Sequence, residues 1–220
     1  MTRVRLVAAE DLCEFAESTS YALSDEAGGE ILRRAVDFAL HSETVAPEVS
    51  FITLYASLES VLTHFRRLSE FEILPDKEFS QLERDLKGWL RLHPGLSQEA
   101  EKRRLIYEKL RELNRFPFSH VFRVFCEHHR LQLDDLWPLA GRAQDWPLME
   151  IRHRLVHGDP FVSRPADSIE CARQHLRWTV ARMIFCSLGW PVSRTSVSPE
   201  HLPAACETYT RWQEHRARLA

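Results

Sequence analysis

Between Glu150 and Asp159 the chain reads Glu-Ile-Arg-His-Arg-Leu-Val-His-Gly-Asp, a run rich in groups that move protons or hold charge. Arg152 and His157 stand at its centre. On a wheel at roughly 100° per residue, Leu148, Met149, Ile151, Leu155 and Val156 form a broad apolar arc, and Arg152 falls inside it between Leu148 and Val156. A guanidinium on a buried face is costly unless it is paired or put to use. Glu150, His153 and His157 gather on the other side of the wheel. His157 is expected as the last helical residue, where the helix dipole favours a charged imidazolium.

Two plainer arrangements account for the same residues. Arg152 could be a core arginine satisfied by a carboxylate of a neighbouring helix, Glu59 being the partner, with His157 bonding a local carbonyl. Alternatively, His153 and His157, at i and i+4 with Glu150 three residues before, could hold a metal on one helical face. A zinc protease motif needs Glu directly after the first His, where Arg154 stands, and a carboxylate di-iron bundle needs a second Glu-x-x-His, which is missing. No metal and no cofactor is therefore expected.

The elements that must position these residues are helices. Seven glycines in 220 residues are too few for a turn-rich β protein, and the apolar spacing is helical over long stretches. The fold class is all-α. Helices are expected from about Gly29 to His41, from Pro47 to about Phe71, from Pro75 to His93 and, capped by Ser97, over the charged stretch that follows. Phe118, Val121, Phe122 and Phe125 recur at helical spacing and read as a core stripe. The motif helix should run from about Trp146 to His157 and be closed by Gly158. A long core helix is expected from Pro165 to Leu188, and the segment after Gly189-Trp-Pro191 leads to a last helix over about 203–219, read as an appendage. The division is a helical extension over 1–43, a bundle over 44–190, and a linker with C-terminal helix over 191–220.

Arg152-His153-Arg154-Leu155-Val156-His157-Gly158 resembles the signature of the HEPN superfamily, an arginine followed by Asn, Asp or His and, after a short spacer, a histidine. The Leu-Val-His-Gly run, Trp137-Pro138-Leu139 upstream, and the helix Ala56-Ser-Leu-Glu-Ser-Val-Leu62 look like HEPN proteins of the ApeA-like kind, over residues 44–190. The resemblance implies a helical bundle that forms a homodimer, so that two motifs line one cleft, and that cuts RNA without a metal. On that basis His157 takes acid/base work on the ribose 2′-hydroxyl or the leaving 5′-oxygen, and Arg152 stabilises charge on the phosphorus oxygens. His153 and Glu150 support or orient, with Arg154, Asp159 and Glu59 alongside. The products would be a 2′,3′-cyclic phosphate and a 5′-hydroxyl, and the implied setting is a cytoplasmic toxin or antiviral defence effector, with an antitoxin or regulatory protein as a further partner. Family toxins paired with a nucleotidyltransferase carry a tyrosine two residues after the histidine; Asp159 stands there, which argues against control by modifying that tyrosine. Other family members are non-catalytic modules that dimerise and bind nucleic acid, nucleotide or a partner protein, and that is the alternative expectation.

Other residues carry less. A net charge of −3 makes any polyanion site local, although only four of the 29 basic residues are lysine and arginine suits bidentate phosphate contacts. Five scattered cysteines suggest neither a disulfide framework nor a zinc site and point to a reducing compartment. No run of apolar residues is long enough for a membrane span, and no secretion signal is read at the N-terminus. His120, His128 and His129 read as packing or surface residues, Cys126 lacks a nucleophile's flanking signature, and Arg173, Arg177 and Arg182 read as a solvated face of the long C-terminal core helix.

Overall fold

The structure is a computed structural model and describes residues 6–24, 26–42, 45–67, 72–158, 166–205 and 207–219. Among these the chain is all-α, with eleven helices: α1 Leu12–Ala22, α2 Glu26–His41, α3 Pro47–Arg67, α4 Asp76–Leu92, α5 Ala100–Leu110, α6 Phe118–His129, α7 Leu148–His157, α8 Ala166–Ser187, α9 Leu202–Ala205, α10 Glu207–Thr210 and α11 Trp212–Ala217. Outside the helices the described pairings are isolated bridges, Val7 with Thr195 and Glu72 with Arg115. No described helix is long and apolar enough to cross a membrane. The chain divides into two compact units, 1–67 with 125–220 and 68–124.

In the first unit, α3 packs against α2, α8 and α7. Its inward residues Phe51, Leu54, Leu58 and Val61 follow the i, i+3, i+4 spacing and are fully buried. Ser57 lets α2 approach closely, and its hydroxyl donates to the Ala35 carbonyl at 2.6 Å. α8 is buried nearly all round, from Ile169 and Ala172 through Leu176 and Val180 to Met183, as befits the central rod of a bundle. The start of α2 passes close to the end of α1 at Gly29, where a Cβ would sit 2.5 Å from the Leu23 carbonyl oxygen.

Described residues near both termini belong to this core. Val7, Leu202 and Tyr209 cluster with Trp178, Phe185 and Trp190, with Phe15 packed against them. Instead of one appended helix, the C-terminal residues form the three short helices α9 to α11, and α10 and α11 lie on α8. Tyr209, Trp212 and Leu219 hold them there by burial.

Arg182 corrects the reading of α8 as carrying a solvated arginine face: its side chain is 0% exposed. It donates from Nη1 and Nη2 to the two Asp135 carboxylate oxygens at 2.8 and 2.6 Å and from Nε to the Val197 carbonyl at 2.7 Å. Arg173, also on that helix, pairs with Glu170 and donates to the Ser50 hydroxyl. Helical spacing alone cannot tell a solvated arginine from one whose carboxylate arrives from a distant loop.

The second unit contains α4, α5, a 3-10 turn over Arg111–Asn114 and the start of α6. Asn114 ties the turn after α5 to the segment before α4, accepting from the Leu74 N–H at 2.8 Å and donating to the Leu74 carbonyl at 3.0 Å. Ser97 does not cap α5: the helix begins at Ala100 after Glu99, and the Ser97 hydroxyl donates to the Pro94 carbonyl within the preceding turn. That local bond satisfies the hydroxyl before the helix starts.

Candidate functional site

The site begins with how α7 is held. The first N–H groups of a helix lack partners within it, and here Leu148 and Met149 donate to the carbonyls of Pro138 and Leu139, both at 3.0 Å. The buried indole of Trp137 donates to the Trp146 carbonyl at 2.7 Å. Trp146 itself takes a left-handed conformation, φ 50°, so the helix starts two residues later than the sequence suggested. Leu148 and Ile151 then anchor α7 with no exposed surface. At the far end Gly158, φ 72°, closes the helix with its N–H on the Arg154 carbonyl. A Cβ there would meet nothing, so the need for glycine is conformational.

The burial of α7 corrects the wheel. Its sealed stripe runs along Leu148 and Ile151, while Val156, on the other flank of Arg152, is 47% exposed. Arg152 therefore stands at the rim, its side chain 36% exposed, and not in the middle of a buried face. Its Nη2 lies 3.8 Å from Glu59 Oε1 on α3, and its Cζ sits 5.5 Å from the centre of the Tyr55 ring. The carboxylate named from sequence is thus within ion-pair reach, but both partners are half-exposed. Such a pair contributes under about 1 kcal/mol. The guanidinium is held loosely enough to exchange a protein oxygen for a ligand oxygen.

Tyr55 was not singled out from sequence. It is one helical turn before Glu59, on the same side of α3, and only that spacing could have found it. Burial pushes its phenol well above the ordinary range, the Glu59 carboxylate adds to the rise, and Arg152 opposes it. Tyr55 stays a neutral phenol, its ring beneath the guanidinium.

The remaining motif residues separate into two groups. Arg154 donates from Nε to Glu150 at 2.7 Å and lies over the Trp146 ring at 4.3 Å, a buttress against the buried start of the helix. Glu150 is thereby committed to Arg154. His153 and His157 are both exposed, with ring centroids 4.4 Å apart. Asp159 lies outside the described residues. No group of three or more His, Cys, Asp or Glu among the described residues is placed to hold a metal ion.

The histidines and cysteines singled out elsewhere in the sequence belong to packing. His129 sits against Phe65 and Phe125, and burial, with His128 beside it, lowers it to about 4. His120 stacks on Phe116 at 4.2 Å. Burial raises the Cys126 thiol to about 12, with Cys186, Glu127 and Asp134 adding to the rise, which leaves no thiolate for nucleophilic attack. A groove of about 510 Å³ bordered by His129, Arg130, Cys186, Trp190 and Glu200 brings together no reactive pair, since burial lifts Cys186 to about 11. The chain was compared with known proteins at three levels: no family model, no curated protein and no solved structure matches it.

Proposed function

We propose that the chain is a metal-independent endoribonuclease of the HEPN type. The observation that carries this reading is the half-exposed Arg152 guanidinium, set among the described residues against an exposed carboxylate and an aromatic face, on the helix that presents the His153 and His157 rings to solvent. His157 takes the proton of a ribose 2′-hydroxyl or delivers one to the leaving 5′-oxygen. Arg152 leaves Glu59 for the phosphoryl oxygens as charge grows on them. The products are a 2′,3′-cyclic phosphate and a 5′-hydroxyl, and no redox partner or metal enters the balance. One histidine acting at one end of the reaction leaves the other end to a second copy, so the working form is a homodimer. Exposed Val49 and Ile52 on α3 and Val156 on α7, 50, 38 and 47% exposed, supply apolar surface on the two helices that bear the site. The proposed setting is the cytoplasm, as a toxin or defence effector restrained by an antitoxin or regulatory protein.

The test is incubation of purified protein with RNA in EDTA, beside Arg152→Ala and His157→Ala variants of matched thermal stability. The parent should cleave, and each variant should lose at least roughly a hundredfold in rate. One observation favours a second reading, a non-catalytic dimerisation module that binds nucleic acid, nucleotide or a partner protein: Glu59 sets a negative charge beside the arginine that must meet phosphate. Absence of cleavage on every RNA offered, with a stable dimer, selects that module.

A further inference from the structure

His153 and His157 occupy successive turns of one helical face. Both rings are exposed and their centroids lie 4.4 Å apart, close enough for two imidazoles to share one ion. Neutral imidazole suits zinc, copper and nickel, whereas hard cations prefer oxygen ligands. Two surroundings favour an ion here. His157 lies in the last turn of α7, where the negative end of the dipole attracts a cation, and His153 one turn before it. Glu150, three residues before His153, is bonded to Arg154 and so does not draw that ring into an ion pair. Arg152 stands toward α3 and Glu59, off this face of the helix.

We propose that His153 and His157 chelate one late-transition divalent cation per chain, zinc, nickel or copper in class, and that its binding silences the site. Two imidazoles supply half of a tetrahedral shell and water completes it. The inhibitory part rests on the ribonuclease reading: a nitrogen lone pair engaged by a metal can no longer accept the proton of a 2′-hydroxyl. The ion acts as an inhibitor, in contrast to a catalytic metal that activates water.

Calorimetric titration of the full chain with Ni²⁺ and with Zn²⁺, after its thiols are blocked by alkylation, tests the site directly. Cys13 is exposed and would otherwise compete. One ion per chain is expected, and His153→Ala and His157→Ala should each weaken binding by at least roughly tenfold. Both side chains are exposed, so melting temperatures should match the parent and show that the variants are folded. Wild-type affinity in both variants, or no uptake by the parent, overturns the site. In the second arm, Zn²⁺ should suppress RNA cleavage by the parent and EDTA restore it. Unchanged cleavage with the ion bound overturns the inhibitory role. If the metal-free parent cuts no RNA, the ribonuclease reading falls and takes that role with it, while the titration still decides the ion site.

Discussion

Glu59 sets the balance at the candidate site, because the carboxylate that holds Arg152 at 3.8 Å also opposes any phosphate approaching it. Glu59→Gln keeps the side chain's size and removes the charge. RNA binding measured by fluorescence anisotropy at low salt should tighten by roughly threefold to tenfold, the range set by losing an exposed pair worth about 1 kcal/mol. Unchanged or weaker affinity would show that the carboxylate does not compete with phosphate. Arg154 behaves differently although it is two residues away in the same signature. Its bond to Glu150 and its place over Trp146 tie it to the start of the helix, so its loss should be read in stability before activity.

At the scale of the element, α7 is a ten-residue helix fixed at both ends. Its first N–H groups rest on the Pro138 and Leu139 carbonyls, and its last turn closes on a glycine with φ 72°. Gly158→Ala would force that conformation on an L side chain and should cost about 1 kcal/mol. A chemical denaturation midpoint checks it, and an unchanged midpoint would mean the helix ends another way. Ile151→Ala removes a side chain with no exposed surface and should cost about 2–5 kcal/mol. The loss should be as large without RNA as with it, since Ile151 faces the core and not the site.

At the largest scale, the first unit is organised around α8. His175 on that helix accepts a hydrogen bond from the buried Trp137 N–H at 3.0 Å, which joins the core helix to the segment preceding α7. Burial lowers His175 to about 4 against an ordinary 6.5, with Thr208 and Asp135 pulling it upward and Arg182 and His215 downward. A histidine lowered by folding contributes stability that is complete above its unfolded value. That stability is lost as the pH falls through 6.5 toward 4, because the unfolded chain takes up the proton first. The loss should reach about 3 kcal/mol at the acid end of that window. Urea unfolding at pH 7 and pH 5 should show the slope, and His175→Gln, which can still accept from Trp137, should flatten it. His129, lowered in the same direction, adds with the same sign. Arg182→Ala would strand Asp135 and Tyr209, whose hydroxyl donates to that carboxylate at 2.6 Å, and should cost about 3–5 kcal/mol in the same measurement. A variant as stable as the parent would show that the buried pair contributes no net stability.

The sequence by itself determined the all-α class, the main helices and the terminus of α7 at Gly158, because apolar periodicity and an αL glycine are local properties. It also named Glu59 as the carboxylate for Arg152, since a guanidinium beside apolar residues demands one. Tertiary structure alone decided how exposed that pair is, as burial depends on which neighbour covers each flank: Val156 is uncovered, so Arg152 stands at a rim. It likewise placed Tyr55 under the guanidinium, sealed Arg182 against Asp135, and drew the C-terminal helices onto α8. Each of these joins residues far apart along the chain, and helical spacing carries no information about which distant surface a face will meet.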